Sequence, residues 1–102
     1  MFAGGDATTS EVPALAFYRY ETSLPLGAER NVLEEGDTFT RHHLRYASVG
    51  GQTVTAILQV PKGSGPFPAV MVQHGYGASK MVDYVDIPSR LLAQSGYVTL
   101  AI

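Results

Sequence analysis

Two runs constrain this chain more than anything else in it: Ala69-Val70-Met71-Val72-Gln73 and Tyr97-Val98-Thr99-Leu100-Ala101-Ile102. Both are apolar on successive rather than alternate residues. A strand with one wet face alternates; a strand written this way is expected to be covered on both faces, as in the middle of a parallel sheet. Between the two runs, Met81 to Gly96 carries helical signals. Asp86 is placed to cap the helix, with Pro88 in its first turn. A start near Ser79 would instead put Pro88 inside the helix and kink it. Tyr84, Ile87 and Leu91, with Leu92 beside them, recur at helical spacing and are expected to lie on the sheet. Gly96 stands where a glycine commonly ends a helix. Strand, turn, helix and strand make a βαβ unit, whose crossover is expected to be right-handed.

Upstream the pattern changes. Asp37 to Ser48 is rich in Thr, Phe and Tyr and reads as a strand. Val49-Gly50-Gly51-Gln52 reads as a turn in which the glycines take positive φ, and Thr53 to Val60 as a second strand, ended by Pro61. The two form an antiparallel hairpin. Pro61 to Pro68 holds three prolines and two glycines and reads as a loop. Glu29 to Gly36 fits a short strand or a helical turn equally. Ala16 to Glu29, with Phe17, Tyr18, Tyr20 and the Leu24-Pro25-Leu26 turn, reads as an extended segment packed onto a body, because a residue before proline disfavours helical geometry. Residues 1 to about 15 read as a mobile tail. The expected organisation is a tail and lead-in over 1–36 and an α/β domain over 37–102. Its antiparallel hairpin leads into a parallel βαβ unit. Because Ile102 lies inside an apolar strand, and one helix covers one face only, residues 37–102 are expected to be the front part of a larger domain.

Composition narrows the function. The chain has 102 residues, 45% of them hydrophobic and 16% charged, with a formal net charge of −2. That balance points to neither a nucleic-acid nor a membrane partner. Arg41, His42, His43 and Arg45 form a small basic cluster, read here as a solvated strand face. His42 and His43 point to opposite faces of a strand and no carboxylate or third histidine stands at ligand spacing, so no metal site is expected. The absence of cysteine excludes disulfides and a thiolate nucleophile. The opening MFAGGDATTSEVP has neither a basic nor an apolar leader region, and a cytoplasmic address is expected.

The stretch that carries chemistry is Val70 to Lys80, where an apolar strand runs into His74-Gly75-Tyr76-Gly77. Three readings compete: a phosphate cradle, an oxyanion hole and a plain strand-to-helix connection. A Walker loop needs glycine before its lysine, and Ser79 precedes Lys80. A dinucleotide fingerprint needs a third glycine where Lys80 stands, leaving a weak nucleotide-binding alternative. An oxyanion hole needs a backbone amide aimed at developing charge, which a glycine-softened turn at the end of a buried strand is suited to supply. A non-catalytic interaction domain, binding through a hairpin edge, is the alternative outside enzymology.

Phe67-Pro68-Ala69-Val70-Met71-Val72-Gln73-His74-Gly75-Tyr76-Gly77, followed by Leu91-Leu92-Ala93-Gln94-Ser95-Gly96-Tyr97-Val98, resembles the front half of an α/β-hydrolase. The likeness is nearest to the dienelactone hydrolase and acetyl xylan esterase-like branch. Tyr46-Ala47-Ser48, Gly50-Gly51-Gln52 and Val60-Pro61 fit that branch too, and Leu24-Pro25-Leu26 looks like the lead-in of some members. The resemblance implies a serine hydrolase acting on a small ester or lactone, without a cofactor. It implies a serine on a G-x-S-x-G elbow, then an acid, then a histidine. Gly77-Ala78-Ser79-Lys80-Met81 begins like the elbow but has Met81 where glycine is needed, and lies one strand too early. Gly63-Ser64-Gly65 sits in the proline-rich loop. The nucleophile, acid and base are therefore expected beyond Ile102. The Tyr76 amide is the expected oxyanion donor, with His74, Gly75 and Gly77 holding the turn. The chain order makes His74 a turn-holder rather than the general base.

Overall fold

The computed structural model describes residues 13–102. Five strands and two helices follow in the order α1 (Pro13–Phe17), β1 (Glu29–Glu35), β2 (Phe39–Ala47), β3 (Thr53–Pro61), β4 (Ala69–Val72), α2 (Asp83–Gln94) and β5 (Val98–Ala101). They build a single sheet in the order β1-β2-β3-β5-β4. The expected hairpin is present: β2 and β3 pair antiparallel from Phe39↔Pro61 to Ala47↔Thr53, around a short 3-10 turn in which Gly50 and Gly51 both have positive φ. The βαβ unit is present as well, with β4 and β5 parallel from Ala69↔Val98 to Val72↔Ala101. The two halves meet where β3 and β5 pair antiparallel through Ile57↔Ala101, Leu58↔Leu100 and Gln59↔Thr99. Glu29 to Glu35, open between two readings, is a strand paired to β2.

Helix α2 ends as its sequence predicts. Gly96 takes φ +97°, the Gly96 amide donates to the Ala93 carbonyl and the Tyr97 amide to the Leu92 carbonyl, a Schellman closure. Its start differs. Val82 occupies the N-cap without a side-chain cap, and Pro88 lies inside the helix, where it has no N–H to offer the Tyr84 carbonyl. Asp86 is not the cap. It is spent on two arginines from within the helix, as described below.

The buried face of α2 also differs from the periodicity reading. Val85, Ser89 and Ala93 face the sheet, while Tyr84, Ile87 and Leu91 are more than half exposed. The sheet surface beneath the helix explains why. By strand alternation it presents Arg41 of β2, Ile57 and Gln59 of β3, and Thr99 and Ala101 of β5. Half of that surface is polar, so small Ser89 and Ala93 let the helix approach, and Ile57, Val85 and Ala101 form a compact apolar cluster flanked by Val72 and Val82. Ser89 turns its hydroxyl back onto the Val85 carbonyl at 2.6 Å and is satisfied there.

Arg41 and His42 correct the expected solvated patch: they are 5% and 8% exposed. Arg41 Nη1 donates to Gln59 Oε1 at 2.8 Å and to Asp86 Oδ1 at 2.7 Å. Asp86 Oδ2 accepts from Arg90 Nε at 3.0 Å, Arg90 Nη1 reaches Glu34 at 3.1 Å, and Gln59 Nε2 donates to Thr99 Oγ1 at 2.9 Å. A continuous polar ladder thus runs from β1 through α2 to β2, β3 and β5. Burial alone would raise the Asp86 carboxyl, but the hydrogen bonds from Arg90 and Arg41 outweigh it and hold it below its ordinary value. His42 lies on the opposite face of β2, where its Nδ1 has no hydrogen-bond partner among the described residues; burial, with Arg30 nearby, pushes its pKa down.

Two further expectations are revised. Strand β4 is not covered on both faces: it forms one edge of the sheet, and Ala69 and Met71 are exposed while Val70 and Val72 are half-buried. The aromatic part of the lead-in does not pack onto the body, although the Ala47 amide donates to the Leu26 carbonyl at 2.7 Å. Ala16 and Phe17 belong to α1, and Phe17, Tyr18 and Tyr20 are 83%, 71% and 64% exposed, with Phe17 and Tyr18 meeting edge-to-face at 5.3 Å. Of the expected mobile tail, residues 1–12 lie outside the described residues, and Pro13 to Leu15 open α1. No helix among the described residues is long and apolar enough to cross a membrane.

Candidate functional site

The site is built where β4 ends. Between Val72 and the start of α2 the chain makes a tight turn in which the Ala78 amide donates to the Gly75 carbonyl at 3.1 Å. Tyr76 and Gly77 are its central residues. Gly77 has φ +78° and Tyr76 does not have positive φ, which is the pattern of a type II turn. A glycine is needed at Gly77 for that φ alone, since a Cβ there would meet nothing within 4 Å.

Gly75 is held by both of its backbone polar atoms. Its carbonyl accepts from His74 Nδ1 at 2.8 Å as well as from Ala78. A carbonyl only accepts, so the His74 tautomer that makes this bond carries its hydrogen on Nδ1. Its amide donates to the Tyr84 hydroxyl oxygen at 2.8 Å. A Cβ on Gly75 would stand 3.3 Å from that oxygen, so this glycine is fixed by proximity rather than by φ.

The two central residues of the turn, Tyr76 and Gly77, leave their amides without a hydrogen bond among the described residues. The Tyr76 N–H belongs to the same planar trans peptide as the Gly75 carbonyl, and in such a unit the N–H and C=O point in opposite directions. The two donors that fix the Gly75 oxygen therefore fix the direction of the Tyr76 N–H on the far side of the plane. The Tyr76 side chain is fully exposed and packs on no part of the turn. Its orientation separates it from the amide: the ring stands in solvent while the N–H is set by the backbone.

The neighbourhood adds two groups. Lys80 folds away from the turn and donates Nζ to Thr55 Oγ1 of β3 at 3.0 Å. Ser79 Oγ accepts from the Met81 amide at 3.2 Å, a local turn bond that leaves this serine occupied with backbone. The first turn of α2 carries Asp83 and Asp86. A groove of about 740 Å³ lies elsewhere, between the lead-in (Tyr20, Leu24, Leu26) and the end of the hairpin (Tyr46, Val49). None of the turn residues line it. Among the described residues, no three histidine, aspartate or glutamate side chains gather as a metal would require.

The structure thus brings His74, Gly75, Tyr76 and Gly77 together in one turn. Tyr84 is the member that sequence reasoning missed. Its helical spacing with Ile87 and Leu91 marks it as a core residue, and nothing local signals a bond to a glycine nine positions earlier.

Comparison with known proteins agrees with this architecture. No family model matches the chain. It is 39% identical over 59 residues to Esterase FrsA of Salmonella typhi, a match covering 58% of this chain and 14% of that protein. Against Esterase FrsA of Shigella boydii it is 36% identical over 63 residues, covering 62% and 15%. Among solved structures it superimposes on acetyl xylan esterase 1 from a Thermoanaerobacterium species with a TM-score of 0.66 at 21% identity, covering 78% of this chain and 24% of that one. The acetyl xylan esterase of a Paenibacillus species gives a TM-score of 0.63 at 22% identity over 76% of this chain and 25% of that one. The chain spans about one seventh of the length of the FrsA relatives, and its five-stranded mixed sheet is part of the fold of these α/β-hydrolase esterases.

Proposed function

We propose that this chain is the N-terminal portion of a serine hydrolase that cleaves carboxylic esters or lactones through an acyl-enzyme, and that the Tyr76 N–H is one donor of its oxyanion hole. The observation that carries the reading is the unbonded Tyr76 amide, whose direction is locked through the Gly75 carbonyl by His74 and Ala78. Attack on an ester carbonyl puts negative charge on its oxygen, and a donor that is already aimed needs no reorganisation when the charge appears. The esterase relatives and the shared fold support this chemistry over the other two readings. A nucleotide phosphate fits the residues less well, because Asp83 and Asp86 already occupy the positive end of α2. No nucleophile, acid or base is proposed among the described residues, His74 and Ser79 being engaged with backbone.

The test uses a property of the turn. Proline is favoured at the second position of a type II turn, where Tyr76 stands, so Tyr76→Pro deletes the amide hydrogen without opposing the backbone. In the full-length protein assayed on p-nitrophenyl acetate, kcat is expected to fall about a hundredfold or more, with the circular dichroism spectrum unchanged. An unaltered kcat removes Tyr76 from the site. The pure 102-residue chain is expected to give no turnover of the same ester, and turnover by it would place a nucleophile among residues where none is proposed.

A further inference from the structure

We propose that Tyr84 is a positioning residue for the oxyanion amide, acting through Gly75; this rests on the reading of Tyr76 given above. Tyr84 projects from α2 with Ile87 and Leu91, is 58% exposed, and has no place in the apolar cluster under the helix. What it does contribute is its hydroxyl oxygen, which accepts the Gly75 N–H at 2.8 Å.

That bond falls at the point where the turn would otherwise be loosest. Gly75 joins two rigid peptide planes through the least restricted pair of dihedral angles a chain possesses. The plane after it is held at the Gly75 oxygen by His74 and Ala78. The plane before it is held at the Gly75 nitrogen by Tyr84, the other polar contact to it being a long one of 3.4 Å from Gln73 to the His74 carbonyl. With both planes fixed, rotation about Gly75 is blocked and the Tyr76 N–H keeps its aim. Tyr84 passes this constraint to a rigid element. Two residues further along α2, Asp86 binds buried Arg41 at 2.7 Å, so the turn is referenced to the sheet itself. The 3.3 Å between the Tyr84 oxygen and the place of a Cβ on Gly75 shows how closely the two are fitted.

Tyr84→Phe removes the acceptor and keeps the ring on an exposed helix face, so the variant folds. In the full-length protein on p-nitrophenyl acetate, kcat is expected to fall about tenfold, the loss of one hydrogen bond, with KM unchanged. Hydrogen exchange at the Gly75 amide should speed up about tenfold in the same variant. Ile87→Ala and Leu91→Ala, on the same exposed stripe but without a hydrogen bond to the turn, should leave both readouts unaltered. If Tyr84→Phe leaves kcat unchanged while Tyr76→Pro lowers it, the positioning role is wrong and the oxyanion reading stands. If Tyr76→Pro has no effect, the oxyanion reading falls and takes this inference with it. A Tyr84→Phe protein that loses kcat and KM together with its melting temperature shows a structural residue only, and also overturns the proposal.

Discussion

Arg41 and Asp86, 45 residues apart in the chain, meet at 2.7 Å beneath α2, the arginine side chain 6% exposed and the aspartate 23%. This pair fixes the azimuth of the helix on the sheet. Removing one partner strands a buried charge, which costs more than the pair itself contributes. Asp86→Ala is expected to lower unfolding stability by about 3 kcal/mol, the low end for a buried pair because the carboxylate keeps some contact with water. A urea titration reads it as a shift in midpoint at unchanged slope. The same carboxylate has a depressed pKa, so its contribution is complete above its ordinary value of 3.8 and is lost as pH falls through the lower native value. The acid limb of wild-type stability that disappears in Asp86→Ala should therefore lie below about pH 4.

His42 gives the opposite kind of pH dependence. Its native pKa is depressed by burial from 6.5, so the unfolded chain takes up the proton first as pH falls. Stability is expected to decline from about pH 6.5 down to the native pKa and to level off beneath it. His42→Leu should flatten that slope. It should also raise stability by about 1 kcal/mol near neutrality, because it relieves a buried ring nitrogen without a partner. Melts at pH 5 and pH 7 compare the two proteins directly.

The two faces of α2 make a paired prediction. Ala93 is 1% exposed and sits where the helix approaches the sheet, so Ala93→Leu is expected to cost about 2 kcal/mol through overpacking. Leu91 is 59% exposed, and Leu91→Ala should change stability by less than about 0.5 kcal/mol. Equal losses from both would mean that the helix presents a different face.

Gly77 separates strain from crowding. Its φ of +78° is unfavourable for any residue with a Cβ, yet the space around it is open. Gly77→Ala should therefore cost about 1 kcal/mol, a purely conformational penalty, and Gly77→Asn less, since asparagine enters this region more readily. Thermal melts of the two variants rank them.

The hairpin and the βαβ unit were legible because each rests on a local pattern: paired glycines between a Thr-, Phe- and Tyr-rich run and a Thr- and Val-rich one, and two apolar runs around a helix ended by Gly96. The orientation of α2 was not. Tyr84, Ile87 and Leu91 form a better apolar stripe than Val85, Ser89 and Ala93. The helix nonetheless turns the poorer stripe inward, because Arg41, Gln59 and Thr99 make the sheet beneath it polar. Partners so distant in the chain leave no periodic trace. The same holds for the candidate site. His74, Gly75, Tyr76 and Gly77 announced themselves as a motif, whereas Tyr84 enters through a contact that only the folded chain creates.

The antiparallel seam between β3 and β5, three residue pairs long, is where the two halves of the molecule are stitched. The stitch is doubled, since the Arg41–Gln59–Thr99 run crosses the same line in side chains that the backbone crosses in amides. Neither half can peel away while the other thread holds. The hairpin and the βαβ unit should consequently open as one body, with amide protection along Ile57 to Gln59 and Thr99 to Ala101 lost in a single step rather than in two.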